Sequence, residues 1–77
     1  MDANLIGIWT SQARAHWREF QPKRYTALRK AGMLETSLKY AAEQTYLEVS
    51  QLERSGFQPD EAFQMVREEY LFPPAEK

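Results

Sequence analysis

Apolar residues recur along this chain at spacings of three and four almost from end to end, the pattern of helices that bury one face. Leu5, Trp9, Ala13, His16/Trp17 and Phe20 share one face of a first helix, predicted over about residues 3–20, with Asp2 placed to cap it. Gly7 and the Thr10-Ser11 pair weaken its front. The alternative there is an extended arm from Leu5 to Trp9, with the helix starting near Thr10. Pro22 stops the element, because a proline pushes the residue before it out of helical geometry. The same proline can open a short second helix, about residues 22–31, with Tyr25 and Leu28 inward. Gly32 suits a left-handed ending, and Met33 is spaced to pack back on Leu28.

The third element is the clearest. Leu34, Leu38, Ala41, Ala42, Thr45, Val49 and Leu52 form one stripe of a helix predicted over about 34–55. Gly56 ends it, and Phe57 is spaced to fold over Leu52. A fourth helix, about 59–71, opens on Pro59, with Asp60 and Glu61 in the first turn where the helix dipole favours acids. Ala62, Phe63, Val66 and Tyr70 make its apolar face, and Pro73-Pro74 forbid continuation, leaving a tail over 72–77. No repeat, low-complexity segment or internal linker interrupts the pattern. The expectation is an all-α fold: one domain over residues 1–77, a compact bundle of three to four helices with a short Pro-containing C-terminal tail.

Four apolar residues outside these stripes stand out. Tyr40 and Leu47 lie together on the third helix, nearly opposite its main stripe. Either that helix is central and buried on two sides, or the pair forms an exposed patch for a partner. Leu71 and Phe72 precede the two prolines, and a solvated tail would gain nothing from them. They are expected to be covered either by the chain's own core, with Phe72 near Trp17 and Phe20, or by a second copy or a partner. Tyr40, Leu47, Leu71 and Phe72 are therefore the candidate partner-binding residues.

Size sharpens the question of what holds the fold. A chain of 77 residues buries only about 60% of its unfolded surface, so small domains lean on disulfides, metals, good helix packing or self-association. There is no cysteine, so no disulfide or thiolate metal site, and His16 is the only histidine, which leaves any zinc site to carboxylates, an uncommon ligand set. Ten large aromatic rings offer much apolar area for a short chain. The N-terminus lacks the basic-then-apolar pattern of a signal peptide. No stretch approaches the roughly 20 apolar residues needed to cross a bilayer. A cytoplasmic protein with no membrane partner is expected.

Net charge is −1, but residues 1–30 carry six bases against two acids, while residues 31–77 carry four bases against nine acids. Arg14, Arg18, Lys23, Arg24, Arg29 and Lys30 form the candidate basic patch. It could contact phosphate, although the second helix carries little base-reading chemistry. The other reading is that the two oppositely charged halves fold against each other.

Catalytic chemistry finds no foothold. His16 and Glu19, three apart on one helix, make neighbours rather than a base with its nucleophile. Ser11, Ser37, Ser50 and Ser55 lack a nucleophile-elbow glycine pattern. No Gly-rich phosphate loop exists, and the glutamates lack metal-loop spacing. The expectation is a non-enzyme with no catalytic, metal or cofactor site.

As a pattern, His16-Trp17-x-x-Phe20-x-Pro22-x-x-Tyr25, Gly32-x-Leu34, Ala41-Ala42, Thr45, Gly56, Glu61-Ala62 and Val66-Arg67-Glu68-x-Tyr70-Leu71-x-x-Pro74 resembles a group of small uncharacterised proteins encoded in tailed-phage and prophage genomes. The resemblance covers about Ser11 to Pro74. It departs at Phe63, where the pattern has Trp, and at Met33, where a capping Thr or Ser would be natural. It implies no activity and no functional residue, only a context in which small proteins act by docking on a host or viral protein. The functional expectation is a stoichiometric protein-binding module, an inhibitor or adaptor. The alternatives are a homo-oligomeric structural or assembly component, and a nucleic-acid binder using residues 14–30.

Overall fold

The computed structural model describes residues 2–76, which form four helices and, among those residues, no strand. Helix α1 runs Ala3–Phe20, α2 Pro22–Lys30, α3 Leu34–Arg54 and α4 Pro59–Tyr70.

Helix α1 starts at its first opportunity. The Asp2 carboxylate accepts from the N–H groups of Asn4 and Leu5 at 3.0 and 3.2 Å, partnering donors that a helix start leaves free. With that cap in place Gly7 and Thr10 are carried inside the helix, and the extended-arm alternative does not occur. The Thr10 hydroxyl turns back onto the Ile6 carbonyl at 2.7 Å. One residue, Gln21, separates α1 from α2, with Pro22 opening the second helix as its spacing predicts.

The glycine turns close in backbone as expected and differ in their side chains. Gly32 adopts φ +72 and Gly56 φ +106, a region open to glycine at little cost. The N–H of Met33 then reaches the Leu28 carbonyl at 2.9 Å, and that of Phe57 reaches Leu52 at 3.1 Å. Met33 nevertheless remains 53% exposed and Phe57 40% exposed. The motif fixes the backbone and leaves both side chains largely in solvent.

Helix α3 is the spine, packed against each of α1, α2 and α4. Leu34, Leu38, Ala41, Ala42, Thr45 and Val49 are its buried residues, the stripe read from the sequence less Leu52, which is half-buried. Thr45 is fully buried because its hydroxyl donates to the Ala41 carbonyl at 2.8 Å, so no polar group is left unpaired. Ala13, Ala41, Ala42 and Ala62 allow close helix approach, and Trp9, Trp17 and Leu38 fill the space between. Trp9 stacks on Phe63 at 5.1 Å, which joins α1 to α4 across the face of α3. The result is a slab of 40 × 27 × 14 Å.

Candidate docking face

The stripe that buries α3 occupies one side of it only. Tyr40 is 59% exposed and Leu47 44% exposed on the other side. The slab is too thin to cover both sides of its spine, so α3 is not buried on two faces.

Tyr40 stands at the rim of a groove whose lining includes Trp17, Arg24, Ser37, Glu69 and Tyr70. At the α4 side of this groove the Tyr70 phenol faces the Glu48 carboxylate. Hydrogen bonding to that carboxylate, then desolvation, then the charges of Glu48 and Glu69, push the Tyr70 pKa up to about 12. At the other side the Arg24 guanidinium lies 4.2 Å above the Trp17 ring, a cation–π arrangement. The face thus combines exposed apolar groups with aromatic rims, acid on one flank and a stacked base on the other.

Two further exposed apolar residues escaped the sequence reading. Met65 is 56% exposed and sits one turn before Glu69 on α4. Ile8 is 53% exposed on α1, away from the Trp9–Ala13–Trp17 face. Both lie off their helices' apolar stripes, and the same wheel that singled out Tyr40 and Leu47 would have found them.

Leu71 and Phe72 require a correction. Leu71 has no exposed surface, and its carbonyl accepts from Trp17 Nε1 at 3.0 Å. Phe72 is half-buried against the His16 ring at 5.3 Å and edge-on to Phe63 at 6.4 Å. Their cover is the chain's own core, the first of the two alternatives, and Leu71 has no surface left for a partner. Burial of one large side chain and part of another outweighs the ordering of a short segment already stiffened by two prolines.

The six bases of the basic segment do not converge. Arg14 forms a two-pronged pair with Glu35, Nη2 to Oε1 at 2.7 Å and Nη1 to Oε2. That pairing holds the Glu35 carboxyl below its usual range. Arg24 is turned onto Trp17. Lys23 and Lys30 share an outer face of α2 with Thr26 and Ala27, while Arg18 and Arg29 are exposed elsewhere. The basic and acidic halves meet at Arg14–Glu35, and again where Glu76 reaches the start of α2. His16 Nε2 lies 2.7 Å from the Pro73 carbonyl, so the one histidine holds the tail. Among the described residues no group of three or more His, Asp or Glu could hold a metal ion, and no helix is long and apolar enough to cross a membrane.

Compared with protein-family models, curated proteins and solved structures, the chain matches none of them.

Proposed function

We propose that this chain is a small non-enzymatic protein-binding module, phage- or prophage-encoded, which acts in the host cytoplasm by stoichiometric docking on a host or viral protein as an inhibitor or adaptor. One observation carries the reading: Tyr40 and Leu47 are held exposed on a helix whose opposite side is locked into the core. Folding gains little from leaving a tyrosine and a leucine there, whereas a partner that covers them gains apolar area on a rigid platform. The test is capture from a host lysate by the full chain and by a Tyr40→Ser/Leu47→Ser variant of unchanged melting temperature. A defined protein retained by the first and lost by the second is the expected result. Equal capture by both would refute the assignment of this face.

A second reading is a homo-oligomeric structural or assembly component. Tyr40 and Leu47 lie seven residues apart on the outer side of α3, the spacing along which two helices pair. Light scattering separates the two readings: a dimer or larger mass that reverts to monomer in the same double variant supports self-association.

A further inference from the structure

Helix α2 lacks the supports that hold the other three. It has nine residues, none of them buried, no acid in its first turn, and no side-chain cap from Gln21, its own N-cap residue. A helix this short is marginal in water when left to itself, and the half-buried Tyr25 and Leu28, with Arg24 over the Trp17 ring, tie it to the core. Pro22, its first residue, has no N–H to satisfy. The next two N–H groups, of Lys23 and Arg24, are partnered from the far end of the chain. They donate to the two carboxylate oxygens of Glu76, at 2.9 and 3.0 Å.

Glu76 is positioned for this by a run of contacts. Trp17 Nε1 donates to the Leu71 carbonyl at 3.0 Å, and His16 Nε2 sits 2.7 Å from that of Pro73. Gln21 Nε2 donates to the Pro74 carbonyl at 3.1 Å, and the Glu76 N–H donates to Phe20 O at 2.9 Å. The two prolines keep the segment extended and leave its carbonyls free for these donors. An acid at this spot also meets the positive end of the α2 dipole. Lys23, Arg24, Arg29 and Lys30 give α2 four bases, with no acid of its own.

We infer that residues 71–76 are a strap and that the Glu76 carboxylate is its fastener, acting as the N-cap that α2 lacks locally. The strap and α2 open and close as one unit on a frame of α1, α3 and α4. Opening frees the N–H groups of Lys23 and Arg24 from Glu76 and loosens Arg24 from above the Trp17 ring. The display of that basic helix is thereby governed by an acid more than fifty residues away.

Residue-resolved amide hydrogen exchange on the full chain tests this. In Glu76→Ala, protection of the Tyr25 to Ala31 amides should fall about tenfold, the usual scale of a lost cap, while the Leu38 to Val49 amides of α3 keep theirs. Glu76→Gln, which keeps one acceptor oxygen on the same side chain, should lose less α2 protection than Glu76→Ala. Unchanged α2 protection in Glu76→Ala overturns the inference, as does a loss spread evenly over all four helices. A loss in Glu76→Gln as large as that in Glu76→Ala overturns it too, since the side-chain oxygen would then not be acting as a cap.

Discussion

The indole of Trp17 has no exposed surface, and each part of it is used: the ring fills the core and carries Arg24 above it, while Nε1 holds the Leu71 carbonyl. Leu38 is equally buried, with only apolar duty. Truncating Leu38 to Ala should cost about 2–5 kcal/mol, the range for buried leucines. Tyr40→Ala and Leu47→Ala should each stay within about 0.5 kcal/mol, as exposed positions do; chemical denaturation of the three variants provides the comparison. A core-sized loss at Tyr40 or Leu47 would show that these residues build the fold. Tyr70 supplies a pH-dependent signal. Its folded pKa of about 12 lies above the ordinary tyrosine value near 10. Folding therefore favours the neutral phenol, a contribution fully present below pH ~10 and lost as pH rises through about 12. Ultraviolet titration should find one tyrosine ionising late, and Glu48→Gln should bring it back toward the ordinary value. A Glu48→Gln profile identical to the parent's would remove Glu48 as the cause.

At the scale of elements, the helix ends explain the boundaries. The Asp2 cap, Pro22, the Gly32 and Gly56 turns and Pro59 are local devices, each acting within a few residues, and each was legible in the sequence. The tail is the exception, since its place is set by partners far away along the chain. Removing residues 71–77 strips Leu71 and Phe72 from the core together with the bonds from His16, Trp17 and Gln21. Burial of one complete and one partial large side chain amounts to roughly 2–5 kcal/mol, a large share of what a domain this small has. The truncated chain should melt well below the parent in a calorimetric scan. Equal melting temperatures would mean that the tail contributes nothing to the fold.

For the molecule as a whole, a slab with α3 as its spine has two consequences. Its stability must come from packing on one side of α3, since the chain has no cysteine and only one histidine. Thermal melts with and without EDTA should therefore share one midpoint, and a fall of many degrees on chelation would contradict a core held by packing alone. The other side of α3 is left to solvent or to a partner. The sequence by itself determined the helices, their ends and the stripe that α3 buries, because periodicity, proline, glycine and capping act over a few residues. It also marked Tyr40 and Leu47 as misfits of that stripe. Only the tertiary structure decided that the misfits are exposed, that Leu71 is core, and that Glu76 caps α2. Each of those depends on which surfaces meet once helices pack, and no local pattern in the chain encodes a contact between residues more than fifty positions apart.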